Sequence, residues 1–318
     1  MPVAAAIEDE PSSAGSSRLR TLRWRELDEV FELSSADETI IDRATGVFAP
    51  GSESVDEAPT RRWLIEPALA ADETVVTWRV SGGSSTDSMV PKLTDDLTNA
   101  LLKVEQDALE FLLRRVPHLP AIHAALLSRD GKGIVVVGPS FAGKSTLATA
   151  LWRNGWSLMS DDIVFIDTER CSAVPAPRRV SLRFESRALI GDALWEEIRA
   201  TRSCVGTWKG LFFHPHELTE NEKLKRTDLA GIFFLARRDV SIGPAESRLI
   251  NAAKAAVALI PYALNVRELP FVEALRAITP LTAAVPAFDL GRGDLAEMVK
   301  SVEARVSDSA IASPDRTL

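Results

Sequence analysis

Gly133-Ile134-Val135-Val136-Val137-Gly138-Pro139-Ser140-Phe141-Ala142-Gly143-Lys144-Ser145-Thr146 is the stretch whose reading decides the fold. The run Ile134–Val137 is uniformly apolar, which predicts a buried β-strand. It leads into G-x-x-x-x-G-K-S, Gly138 through Ser145, and then into a helix expected from about Lys144 to Arg153 and stopped by Asn154-Gly155. The two glycines let the backbone wrap closely, so that successive N–H groups point at phosphate oxygens. Gly138, Ser140, Phe141, Ala142, Gly143, Lys144, Ser145 and Thr146 are therefore read as a nucleotide-phosphate cradle, a P-loop, rather than a plain glycine-rich turn. In such a loop Lys144 reaches the β- and γ-phosphates and the Ser145 hydroxyl ligates Mg²⁺. The positive end of the following helix adds to the same anion site.

A phosphate site needs a metal ligand, and a hydroxyl acceptor needs a group to take its proton. Downstream of the helix come a short strand, Trp156–Met159, the pair Asp161-Asp162, and a second strand, Ile163–Asp167. Side chains alternate along extended backbone, so neighbouring aspartates point in different directions. One can face an acceptor while the other serves the Mg²⁺ shell. Elsewhere in a chain the same residues would be a solvent-facing turn.

The remainder organises around this core. Residues 1–18 are rich in Ala, Ser, Glu and Pro and are expected to be disordered, as is the tail 307–318. Residues 19–98 are expected to be strand-rich, with Thr39–Asp42, Arg62–Glu66 and Thr74–Val80 as candidate strands between Gly-, Ser- and Pro-containing turns. The domain carrying the P-loop is expected over 99–306. A leucine-striped helix over about 94–116 precedes a strand opened by His123, and Arg129-Asp130-Gly131-Lys132-Gly133 turns the chain into the P-loop strand. Leu229–Ala236 reads as a further strand. Ala245–Val257, Pro270–Ile278 and about Arg292–Val306 read as helices. The expected fold is α/β: a P-loop core with a mixed β-sheet and flanking helices, preceded by a smaller strand-rich region.

Bulk properties limit the function classes. The chain has 318 residues, 46% hydrophobic and 26% charged, with net charge −8. That balance argues against nucleic acid as a partner, which needs clustered Lys and Arg. The apolar runs are too short to span a bilayer, and the N-terminus lacks the basic start and apolar stretch of a leader. Two cysteines, Cys171 and Cys204, fit a reducing compartment, so a cytoplasmic protein is expected. His214-Pro215-His216 has no third ligand nearby and reads as a loop. Arg183 and Arg237-Arg238, at strand ends, are candidates to touch acceptor or nucleotide.

His123-Ala124, Gly138–Ser145, Gly155 and Ser160-Asp161-Asp162 together resemble the HPr kinase/phosphorylase family, with its phosphoenolpyruvate-carboxykinase-like core. The pattern lies on the family without a gap from His123 through Asp162. The resemblance implies that Lys144 and Ser145 hold ATP phosphates and Mg²⁺, that Asp161 is the base toward the acceptor hydroxyl, and that Asp162 supports the metal or the geometry. It implies further that His123 lines the phosphate site, and that a Glu after a Pro-containing turn ligates the metal; Glu185, after Pro175 and Pro177, stands nearest. The chain departs from the family over Ala188–Leu194, where a glycine-rich signature for protein-substrate and phosphorylase chemistry is replaced. It therefore looks more like the related kinases that phosphorylate a serine of a precursor peptide, and the family tends toward homo-oligomers.

The expectation is an Mg·ATP-dependent kinase acting on a hydroxyl of a protein or peptide, with no nucleic acid and no membrane partner. Two alternatives stay open: a kinase for a small-molecule hydroxyl, and a nucleotide-dependent switch or ATPase. The Asn-Lys-x-Asp reader of GTPase switches is absent from the sequence.

Overall fold

In a computed structural model the described residues are 8–9, 19–48, 55–69, 76–83, 88–94, 96–174, 179–201, 203–207, 209–215, 218, 226–236 and 245–311. The chain divides into two compact units. The first is Met1–Val116 with Ala200–Val205 and His216–Asn221, and the second is Pro117–Arg199 with Gly206–Pro215 and Glu222–Leu318. The leucine-striped helix goes with the first unit, so the division by contact falls after Val116 rather than at residue 98.

In the first unit lie β1 (Glu8–Asp9), β2 (Arg20–Glu26), β3 (Glu29–Ser35), α1 (Glu38–Phe48), β4 (Arg61–Leu69), β5 (Val76–Gly83), β6 (Ser88–Thr94) and α2 (Leu97–Arg115). The strands form one sheet in chain order. Only β3 and β4 are parallel, because α1 carries the chain across between them. This helix corrects the expected strand at Thr39–Asp42. The Asp37 carboxylate accepts from the Thr39 N–H at 2.9 Å and from its hydroxyl at 2.7 Å, a cap on the helix start. Ile40, Ile41, Ala44, Val47 and Phe48 then bury along one face, a spacing that four residues are too few to reveal.

The core of this unit is aromatic. Trp24 stacks on Phe48 and Trp63, with Phe31 alongside. Arg61 is buried beneath it, and its guanidinium grips Asp107 of α2 through Nε at 2.6 Å and Nη2 at 3.0 Å. Trp63 Nε1 donates to the same carboxylate at 2.9 Å. A buried charge is tolerated only when paired and hydrogen-bonded, and both conditions hold here.

The second unit begins with β7 (Ala121–Ile122), β8 (Ala124–Arg129), β9 (Lys132–Val137), α3 (Lys144–Arg153), β10 (Ser157–Ser160), β11 (Val164–Asp167), β12 (Ser172–Val174) and β13 (Val180–Arg183). A 3₁₀ turn, Phe184–Ser186, leads to α4 (Arg187–Ile190) and α5 (Asp192–Arg199). Then come β14 (Val205–Thr207, of which Val205 is counted with the first unit), β15 (Gly210–Phe213), β16 (Thr227–Leu235), β17 (Ser247–Ile250), α6 (Ala252–Leu259), α7 (Phe271–Ala284), β18 (Ala287–Leu290) and α8 (Leu295–Ile311). The first half of the helix expected over Ala245–Val257 is β17. Asn251 caps α6 by accepting from the Lys254 N–H at 2.8 Å, so the helix starts only after it. The last helix runs to Ile311, five residues beyond the expected limit at 306.

The main sheet of this unit is mixed, in the order β10-β8-β9-β16-β12-β11-β7, with β18 and β17 attached beside β16. Its centre is parallel: β9 pairs β16, with Val137 opposite Phe234, and β16 pairs β18, with Leu235 opposite Leu290. The parallel strands therefore end at one level, which is where ligands bind in open α/β sheets. Ile134, Val136 and Val137 are fully buried, as a strand covered on both faces requires. Among the described residues, no helix is long and apolar enough to cross a membrane.

Candidate active site

The loop Gly138–Gly143 leaves β9 at the level where the central strands end. A side chain at Gly138 would place its Cβ 3.0 Å from the Leu235 carbonyl, so the loop start packs tightly on β16. Phe141 at φ 68° and Gly143 at φ 99° both take left-handed backbone, which bends the loop round before α3 begins. No side chain caps α3, and the positive end of its backbone dipole lies at the loop. Lys144 folds back over its own loop: Nζ donates to Gly138 O at 2.9 Å and to Pro139 O at 3.4 Å. Burial pushes the Lys144 ammonium below its ordinary pKa, against the opposing pull of Asp161 and Asp162. A buried cation beside an uncapped helix start is a setting that fits an anion.

Asp161 and Asp162 diverge, as the sequence predicts, but for a different reason. The strand β10 ends at Ser160, and the split comes from the φ of 82° at Asp162 rather than from strand alternation. Asp161 is buried, accepting from Ser145 Oγ at 2.7 Å and from the Ser181 N–H at 3.2 Å. Burial pushes its carboxyl up to about 6, with the two hydrogen bonds pulling the other way. The Asp162 side chain is 58% exposed, and its Oδ1 lies 3.6 Å from His123 Nε2. Two backbone bonds hold this pair in place: the Ala124 N–H donates to Asp162 O at 3.1 Å, and the His123 N–H donates to Tyr262 O at 2.7 Å. Burial, then the charge of Lys144, lowers the His123 pKa, with Asp162 opposing and Arg267 adding to the lowering. The imidazole is therefore neutral near pH 7.

The neighbouring segment is tied to the loop. Thr146 Oγ1 and Ser186 Oγ share a buried hydrogen bond of 2.9 Å. The guanidinium of Arg183, at the end of β13, lies 3.8 Å from the centroid of the exposed Phe141 ring. Arg292 Nη2 donates to Ala142 O at 3.2 Å.

No family model matches the chain. It is 32% identical over 78 residues to the HPr kinase/phosphorylase of Limosilactobacillus reuteri, in strains DSM 20016 and JCM 1112, a stretch that is 24% of this chain and 24% of each relative. The chain spans about a quarter of the length of the curated relatives it matches. Among solved structures it is similar to the HPr(Ser) kinase/phosphatase from Coxiella burnetii, 15% identical with a TM-score of 0.34, over 60% of this chain and 91% of that one.

The structure brings Lys144, Ser145, Asp161, Asp162 and His123 to one end of the sheet, around the loop that holds Gly138, Ser140, Phe141, Ala142 and Gly143. Glu185 is exposed in the 3₁₀ turn. Among the described residues no three of His, Cys, Asp and Glu gather as a metal-holding group, so Glu185 does not join the two aspartates. A hydroxyl and a carboxylate, as at Ser145 and Asp161, are hard oxygen donors of the kind Mg²⁺ takes alongside phosphate and water, without a full protein cage. Pro175, Pro177, Trp208, His216, Arg237 and Arg238 lie outside the described residues. Sequence reasoning did not find Ser181, Ser186, Tyr262, Arg267 or Arg292. Of these only Arg292 had a readable signal, its place between two glycines just after a strand.

Proposed function

We propose that this chain is an Mg·ATP-dependent kinase that transfers the γ-phosphate to a hydroxyl, that of a serine in a protein or precursor peptide. The observation that carries the reading is the Ser145–Asp161 hydrogen bond beneath the P-loop with an exposed Asp162–His123 pair beside it. Lys144 and the loop N–H groups bind phosphate oxygens. Ser145 and Asp161 would hold Mg²⁺. Mg·ATP, when bound, supplies the phosphoryl group and offsets its charge.

This geometry favours the reverse of the division of labour expected from the sequence. Asp161 is buried against Ser145, so it serves the metal side. Asp162 is the carboxylate that an acceptor from solvent can reach; it orients the hydroxyl, and its Oδ1 takes the proton. Neutral His123, next to that oxygen, helps to hold the proton once it has moved.

The test uses radiolabelled ATP with a pool of serine-containing peptides and a pool of hydroxyl-bearing metabolites. Asp162→Asn should lower transfer by about 10²- to 10⁴-fold while leaving Mg·ATP affinity within about twofold. Lys144→Ala should lose both. An Asp162→Asn enzyme that transfers at the wild-type rate would overturn the base assignment. Label appearing only on metabolites would move the acceptor to small molecules, and nucleotide binding without any labelled product would mean a switch.

A further inference from the structure

The P-loop is braced by a residue far away in the chain. Arg292 follows β18 in the turn Gly291-Arg292-Gly293, and that turn is fixed from both sides. The Gly291 N–H donates to Glu246 O at 2.9 Å. A side chain at Gly293 would bring its Cβ within 2.8 Å of the Ala245 Cβ, so the backbone there packs directly on that residue. Asp294 then caps α8 by accepting from the Ala296 N–H at 2.9 Å. The arginine stem thus starts from rigid backbone, at the level where β9 passes into the loop. Its Nη2 donates to Ala142 O at 3.2 Å, and it is the nearest heavy atom to where a Gly143 Cβ would lie, at 3.9 Å.

The carbonyl it grips belongs to the peptide joining Ala142 to Gly143. In a trans peptide the C=O and the N–H point in opposite directions from one plane. Fixing Ala142 O toward Arg292 therefore aims the Gly143 N–H to the other side. Gly143, at φ 99°, is the one position in the loop where this matters most: glycine rotates its flanking peptides at little steric cost. Left alone, the peptide can flip and turn a carbonyl toward the phosphates. A guanidinium on the carbonyl also polarises the amide and strengthens the N–H as a donor.

We propose that Arg292 is a positioning residue for nucleotide binding: it locks the Ala142–Gly143 peptide so that the Gly143 N–H is a preorganised phosphate donor. The inference rests on the nucleotide reading above and adds to it a residue 150 positions downstream. It acts through a hydrogen bond, so the role belongs to donor capacity rather than to bulk.

Arg292→Met keeps an apolar stem but cannot donate, whereas Arg292→Lys keeps a long stem that ends in a donor. Affinities for Mg·ATP and for adenosine are measured by calorimetry on the full chain, with Lys144→Ala alongside. Arg292→Met should weaken ATP about tenfold, the scale of one hydrogen bond from a charged group. Arg292→Lys should recover part of that loss, and adenosine affinity should stay at the wild-type value in both. Wild-type ATP affinity in Arg292→Met would overturn the proposal. So would equal losses in the Met and Lys variants, or a parallel loss of adenosine, because those mark packing rather than donor geometry. If Lys144→Ala binds ATP as the wild type does, the nucleotide reading itself fails, a result distinct from a failure confined to Arg292.

Discussion

At the residue scale two adjacent aspartates have opposite surroundings, Asp161 buried and Asp162 exposed. The Asp161 carboxyl is raised to about 6 from 3.8 by burial, which corresponds to about 3 kcal/mol of lost stability at neutral pH. The sign follows from proton uptake. Between about pH 4 and pH 6 the native state holds a proton that the unfolded chain has released, so stability falls as pH rises through that window. Asp161→Asn cannot ionise. In urea unfolding without Mg²⁺, it should exceed the wild type in stability at pH 7.5 and lose that advantage near pH 4. Equal stability at both pH values would mean that Asp161 is not held in a desolvated site. The lysine and the two aspartates were legible because the motif spacing names them. Which aspartate faces inward was not, since it depends on the left-handed backbone at Asp162 and on Ser181, and neither has a sequence mark.

Short elements that pack on the loop decide its geometry at the next scale. β13 supplies the Ser181 N–H to Asp161 and pairs with β15 in register, Arg183 opposite Gly210. Gly210 has φ 147°, and a Cβ there would lie 2.0 Å from Leu182 O, so the pairing depends on the absence of a side chain. Gly210→Ala should destabilise the protein by about 2–4 kcal/mol through overpacking and backbone strain. Hydrogen exchange at the Ser181 and Leu182 amides should speed up first, and unchanged protection there would refute the coupling. Elements with a long period were legible: the leucine stripe of α2 and the P-loop helix fall where expected. α1 was misread as a strand because its capping by Asp37 and its buried face appear only over more than two turns. β17 was hidden because its four residues, Ser247-Arg248-Leu249-Ile250, are too few for local spacing to assign to strand or helix.

Each unit of the whole molecule has its own core, and only the second carries the candidate site. The first depends on the buried Arg61–Asp107 pair within its aromatic cluster. Asp107→Ala leaves the guanidinium and the Trp63 indole without that acceptor, and should cost about 3–5 kcal/mol. Urea unfolding followed by tryptophan fluorescence measures it, Trp24 and Trp63 being in that core; a loss below 1 kcal/mol, the worth of a typical surface ion pair, would show the pair to be dispensable. By itself the sequence determined the P-loop motif, the α/β class and the set of candidate site residues. It could do so because those depend on local spacing and on chemistry intrinsic to each side chain. Only the tertiary structure decided which aspartate is buried, how His123 meets Asp162, and that Arg292 braces Ala142 across 150 residues. Burial and long-range hydrogen bonds are properties of folded neighbours, and no local pattern encodes which neighbours those will be.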